Sequence, residues 1–293
     1  MARTYDRSAE DLGNCVALEH VNTCVPDQQL ATRFYVSGLG LTRDPYVQTG
    51  VENMWINVGR SQFHLPARET PQVLRGHTAI VIPDREALLS RLCAVRKGLA
   101  HTRFDYVERE AYVEATSPWG NRIRCYEPDA ERFGPIVLGM PYVELDVPTG
   151  ASRPIAEFYR NVMKAPAVVE DDVQGRFARI TVGARQHLFY RETDASLPEY
   201  DGHHLQVYVA DFSGPHRWLL DHDLVTEESD QHQYRFKDLV DPGSGKRVFT
   251  LEHEVRSLLH PLYARPLVNR NPEQTNRNYA PGQDAAAWGM PPR

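Results

Sequence analysis

His20-Val-Asn-Thr-Cys-Val-Pro-Asp27 and His77-Thr-Ala-Ile-Val-Ile-Pro-Asp84 decide how this chain is read. Each is an apolar, alternating run that begins at a histidine and ends at a Pro-Asp step, with a helical stretch after it. Two weaker copies read Tyr142-Val-Glu-Leu-Asp-Val-Pro148 and His204-Leu-Gln-Val-Tyr-Val-Ala-Asp211. Side chains on a strand alternate between faces, so His20, Asn22 and Cys24 share one face, as do His77, Ala79 and Val81. A polar position at the same register of repeated strands predicts strands that surround a common pocket.

The repeat extends beyond these strands. Asp27-Gln-Gln-Leu-Ala-Thr-Arg-Phe-Tyr35 and Ala151-Ser-Arg-Pro-Ile-Ala-Glu-Phe-Tyr159 both read as short helices that close in Phe-Tyr. A third helix is expected over 85–95, capped by Asp84, and a fourth over 213–221. Strand-like runs follow each helix, for example Glu52 to Val58 and Ser61 to Pro66 after the first. Turn-forming clusters precede the closing strands at Ser117-Pro-Trp-Gly120 and Asp241-Pro-Gly-Ser-Gly245. The chain therefore divides into four strand–helix–three-strand units, at about 15–66, 76–127, 139–190 and 202–253. A unit of this kind cannot bury its sheet face alone and must pair. The expected order is an N-terminal extension (1–14), a first domain of two units (15–128), a linker over 128–138, a second domain (139–255) and a tail (256–293). The tail is rich in Pro, Asn and Arg, and is expected to be mobile or wrapped on a neighbouring copy, as in a homodimer.

Composition narrows the partners. The 293 residues are 41% hydrophobic and 25% charged with a net charge of −6, as in ordinary globular proteins. No segment carries a dense basic cluster, so nucleic acid and anionic membrane are not expected partners. No apolar run is long enough to span a bilayer, and the first residues lack a hydrophobic signal core, so the expected compartment is the cytoplasm. Cys15, Cys24, Cys93 and Cys125 form no metal-finger spacing and read as reduced cysteines.

Taken together, the histidine at the start of a unit, Gln62-Phe-His-Leu65 closing unit one, Gly76-His77 opening unit two and Pro118-Trp-Gly-Asn-Arg-Ile123 closing it resemble the vicinal oxygen chelate superfamily, the glyoxalase, fosfomycin- and bleomycin-resistance and extradiol dioxygenase group. The resemblance covers about 15–255. It implies an α+β fold of four βαβββ modules paired into two half-open barrels, with a divalent metal (Fe2+, Zn2+, Mn2+ or Ni2+) held by the first and last strands of each unit. Carried over by position, the ligands are His20, His64 and His77. The fourth position, usually Glu, is here Arg124, which cannot bind a metal.

Neutral imidazoles suit these metals, and three protein ligands with open positions are how catalytic sites are built. Asn53 or Asn57 could support His64 by hydrogen bonding. A metal-free polar pocket remains the other reading. Arg124 could anchor a substrate carboxylate or phosphate, or pair with Glu19 or Glu127. In the second half the corresponding positions read Tyr142, Leu188, His204 and Phe249, and a site around His204, Glu144 and Glu252 requires a slipped register. The remaining histidines read as surface residues.

Two functions follow. One is a metal-dependent isomerase, lyase or ring-cleaving dioxygenase acting on a small oxygen-chelating substrate, with Arg124 and Tyr126, or Cys24, as candidate catalytic groups. The alternative is a metal-free binding or resistance protein, with Trp55 and Tyr46 as stacking walls.

Overall fold

The computed structural model describes residues 5–47, 52–271, 273–283 and 285–287. Unit one supplies β1 (Cys15–Asn22), β2 (Thr42–Arg43), β3 (Asn53–Val58) and β4 (Ser61–Pro66). Unit two supplies β5 (Gly76–Val81), β6 (Asp105–Glu108), β7 (Val113–Thr116) and β8 (Arg122–Tyr126). Unit three supplies β9 (Gly139–Pro148), β10 (Ala167–Asp172), β11 (Gly175–Gly183) and β12 (Gln186–Thr193). Unit four supplies β13 (His204–Val209), β14 (Val225–Asp230), β15 (Gln233–Val240) and β16 (Arg247–Ser257). The four-module reading holds, with helices where the Pro-Asp steps place them. Asp27 accepts the amides of Gln29 and Leu30, and Asp84 accepts that of Ala87, so each carboxylate satisfies amides that a helix start leaves free.

The pairing of modules departs from the expectation. One eight-stranded sheet runs β14-β15-β16-β13-β1-β4-β3-β2 and the other β10-β11-β12-β9-β5-β8-β7-β6. Unit one thus shares a sheet with unit four, and unit two with unit three. The division into a 15–128 barrel and a 139–255 barrel is therefore corrected to a nested one. The reason is physical: every unit presents the same free edge of its first strand, so patterning requires a partner without choosing it. In each sheet two first strands meet antiparallel, β1 with β13 and β5 with β9. The last strand of each unit lies parallel beside its own first strand. At Gly76 (φ 151°) a Cβ would sit 1.9 Å from the Glu144 carbonyl oxygen, so only glycine lets β5 and β9 approach.

The two sheets are joined through Gln186. It accepts the Leu18 amide (3.0 Å) and donates to the Leu18 and Met140 carbonyls (2.9 and 3.1 Å). The segment expected as a plain linker forms a short helix, Ala130–Phe133, and buries Phe133 and Ile136 against Tyr126 and Tyr142 of the second sheet. The C-terminal segment folds back on its own first sheet. Asn269 exchanges hydrogen bonds with both backbone groups of Gly59 (3.0 and 2.8 Å), and Asn57 donates to the Val268 carbonyl (2.8 Å). Arg265 pairs with the buried Asp44 at 2.8 Å. Part of the expected tail is therefore a strap; residues 288–293 lie outside the described residues. No helix among the described residues is long and apolar enough to cross a membrane.

Candidate metal centre

The first sheet gathers the histidines. β1 and β13 run antiparallel with His20 opposite Gln206 and Asn22 opposite His204. β4 sets His64 beside Asn22, and β16 sets Glu254 beside Gln206. The local two-fold thus relates His20 to His204 and His64 to Glu254. One ligand-capable nitrogen from each of His20, His64 and His204 lies within 4.8 Å of the others. Glu254 Oε2 stands 3.6 Å from His204 Nε2. His20 is fully buried, and Glu254 and His204 nearly so.

Each imidazole is held by one nitrogen and left open at the other. A register shift between Leu18 and His20 brings Glu19 alongside, where its Oε2 accepts from His20 Nδ1 at 2.9 Å. Asn53 Oδ1 accepts from His64 Nε2 at 2.6 Å, and Trp55 stacks on the same ring at 3.8 Å and 9°. His204 Nδ1 faces Glu252 Oε1 at 3.5 Å. The opposite nitrogens, His20 Nε2, His64 Nδ1 and His204 Nε2, are buried without a partner. A buried polar atom left unpaired is costly, and three of them in one cluster form a donor set that fits a cation. Burial, then the neighbouring His20 and His204, push the His64 pKa down to about 2. Burial also lowers His204. These two rings are neutral near pH 7 and ready to ligate.

The electrostatics suit a cation as well. Glu254 is gripped by Arg235 and by Arg256 Nη2 (2.6 Å), and Arg256 also reaches Glu19 (3.2 Å). Arg235 pairs in turn with Glu252 at 2.7 Å. Three carboxylates face two guanidiniums, so the surroundings of the imidazoles carry one excess negative charge. Burial alone would raise the Glu254 pKa, but the neighbouring His204 and the guanidiniums of Arg256 and Arg235 hold it well below the ordinary carboxylate range. Between the ligands, Asn22 Oδ1 and both amide atoms of Gln206 are buried and unpaired. A cavity of about 340 Å³ adjoins this face, lined by Glu19, Tyr208, Tyr263 and Arg265, the last two from the strap.

The sequence-predicted set is only partly assembled. His20 and His64 come together, but His77 lies on β5 in the second sheet, near Tyr142 (Nε2 to Oη, 3.4 Å). Its place is taken by His204, because units one and four pair. Arg124 and Tyr126 also lie in the second sheet. Arg124 pairs with Glu114 at 3.0 Å, not with Glu19 or Glu127, and the Tyr126 hydroxyl meets that of Tyr142 at 2.8 Å. Neither reaches the histidine cluster. Burial raises the Cys24 thiol pKa, which argues against a thiolate. Trp55 is in the site, whereas Tyr46 is exposed. His203 and His253, read as surface residues, are buried.

Glu254 was missed. Its signal is the run Glu252-His-Glu254-Val-Arg256, charged at every second residue, which marks a polar inward face on β16.

Comparison with solved structures shows the fold. The chain is similar to glyoxalase I from Zea mays (TM-score 0.59, 13% identity, 82% of this chain and 92% of that one). It is also similar to a putative dioxygenase from Bacillus subtilis (TM-score 0.54, 16% identity, 84% and 86%). No protein-family model matches the sequence, and neither does any curated protein. The architecture is thus the paired half-barrel fold of the glyoxalase and dioxygenase type, as the sequence resemblance implied.

Proposed function

We propose that this protein is a metal-dependent enzyme acting on a small, oxygen-chelating substrate, with His20, His64, His204 and Glu254 as the metal ligands. The observation that carries the reading is the set of three buried imidazole nitrogens without partners, each on a ring whose other nitrogen faces a carboxylate or an amide oxygen. Three imidazoles and one carboxylate suit Fe2+, Zn2+, Mn2+ or Ni2+. A bound divalent ion supplies Lewis acidity toward substrate oxygens.

The chain's own groups set the remainder. Glu19, Asn53 and Glu252 fix ring orientation, and Trp55 holds the His64 plane. Gln206 offers an N–H donor and an oxygen acceptor, and Asn22 an acceptor, to oxygen atoms of a substrate in the cluster. Glu252, with 23% of its side chain exposed, marks the side from which a substrate enters.

Proton transfer is the part this site supports least. Both oxygens of Glu254 already face guanidiniums, which makes it a fixed anionic ligand and a poor mobile base. Dioxygenase-type chemistry is therefore favoured over a glyoxalase-type isomerisation or an elimination, each of which needs a mobile base at the substrate carbon.

The test is metal analysis of protein purified without chelators. About one ion per chain is expected, lost in His204→Ala and retained in His77→Ala. Absence of stoichiometric metal, before and after reconstitution with each of the four ions, would return the protein to the metal-free binding class.

A further inference from the structure

The second sheet repeats the same four register positions with different chemistry. His77 and Tyr142 occupy the first-strand places, and Arg124 and Phe189 the last-strand places, because Arg124 lies beside Ala79 and Phe189 beside Glu144. A cavity of about 430 Å³ opens on this face. That volume lies in the range of small-molecule sites. Its walls are aromatic: Tyr112, Tyr126 and Tyr142 face Phe177 and Phe189, with Tyr142 and Phe189 edge to face at 5.2 Å.

The charge on these walls is unbalanced. Arg124, Arg132, Arg185 and Arg191 line the cavity, against Glu144 and Asp172. Arg191 forks across both of those carboxylates, at 3.2 and 2.8 Å. Arg132 and Arg185 pair with no carboxylate among the described residues; Arg132 instead lies over the Tyr126 ring at 4.3 Å. Arg124 uses only its Nε on Glu114 (3.0 Å), and neither Nη group has a partner among the described residues. At the cavity's inner end the Tyr126 and Tyr142 hydroxyls form a 2.8 Å pair with His77 behind them at 3.4 Å. An aromatic slot with two guanidiniums that no carboxylate matches, the open Nη edge of a third and a phenol pair selects a flat, anionic molecule.

We infer that the concave face of the second sheet is a metal-free binding site for a small aromatic carboxylate, held by the Nη edge of Arg124 and by Arg132 and Arg185, with its ring against the wall that Tyr142 and Phe189 form together. This site stands apart from the metal centre and does not depend on that assignment. Arg124 and Tyr126 then serve ligand binding in the second barrel and not the chemistry of the first.

Benzoate and 4-hydroxybenzoate are the probes, titrated into the full chain by calorimetry, with benzyl alcohol as the uncharged control. Because a carboxylate could also ligate a metal, each titration is repeated with His204→Ala. Saturable binding of either acid, unchanged in His204→Ala and weaker by about tenfold in Arg124→Met, is expected. Arg185→Gln, at an exposed position, is the second variant should Arg124→Met fail to fold, and it too should weaken binding. No saturable binding of either acid overturns the inference. So does binding lost in His204→Ala, affinity unaffected by Arg124→Met or Arg185→Gln, or equal affinity for benzyl alcohol.

Discussion

Asn53→Ala tests the metal centre through a residue that never touches the metal. His64 can ligate only through Nδ1, since its Nε2 donates to Asn53 Oδ1 at 2.6 Å. Removing that acceptor leaves Nε2–H facing a space where nothing fixes the tautomer, and the ring is then restrained by the Trp55 stack at 3.8 Å and the edge of His20 at 5.5 Å. Loss of such a supporting contact typically weakens metal affinity about 10- to 100-fold, or about 1.4–2.7 kcal/mol. Part of the restraint is shared with Trp55, so Asn53→Ala and Trp55→Ala should be non-additive, as expected of neighbours acting on one ring. The assay is a competition titration against a chromophoric chelator, with metal-free protein of each variant and the double mutant. The expected order of affinity is wild type, then either single variant, then the double, with His64→Ala below all of them. If Asn53→Ala binds as tightly as wild type while His64→Ala does not bind, His64 does not ligate through Nδ1 in the tautomer that Asn53 sets. If neither variant changes affinity, His64 is no ligand at all.

Three further outcomes follow from the same contacts. Asn269→Ala leaves the buried N–H and C=O of Gly59 without partners, which should cost about 2–4 kcal/mol of stability in denaturant unfolding; an unchanged midpoint would mean that the strap is not part of the folded core. Arg265→Met strips the buried Asp44 of its only cation among the described residues and should destabilise by about 3–5 kcal/mol, with Asp44→Asn in the same chain restoring part of the loss. His77 is pushed down to about 2 by burial first and then by Arg124, Arg122 and Arg191, and Glu144, already held by Arg191, offsets this little. The folded state then binds fewer protons than the unfolded one below pH 6.5, so stability falls as pH drops, by about 2 kcal/mol from this residue at pH 5. His77→Gln measured in chelator should flatten that slope, and an identical pH profile would refute the assignment.

Much of the fold was legible because it depends on local pattern. The alternation after His20, His77, Tyr142 and His204 located all four first strands, and the Pro-Asp step at Asp27 and the Asp84 cap located the helices behind two of them. The partner of each unit was not legible, since four equivalent edges can pair in more than one way. That single ambiguity accounts for the difference in the cluster: with units one and four joined, His204 and not His77 stands beside His20 and His64. Glu254, the proposed fourth ligand, lies beyond the expected end of its strand. The expected position fell at Phe249, but β16 continues to Ser257, and the offset that sets His64 beside Asn22 sets Glu254 beside Gln206.

The two sheets also explain each other. Both offer the same four positions, yet Arg124 at one of them is enough to bar a divalent ion from the second. A fixed guanidinium about 4 Å from a dication costs on the order of 8 kcal/mol at an effective dielectric of about 20, and arginine cannot escape by losing its proton. Arg235 and Arg256 both contact Glu254 at the first centre, but there each is matched by Glu252, Glu254 or Glu19. In the second sheet Arg124 has Glu114 on one edge only, and Arg132 and Arg185 add positive charge on the same wall. On the proposed assignments, the sign of the local field would divide the labour between two copies of one architecture, the first suited to a cation and the second to an anion.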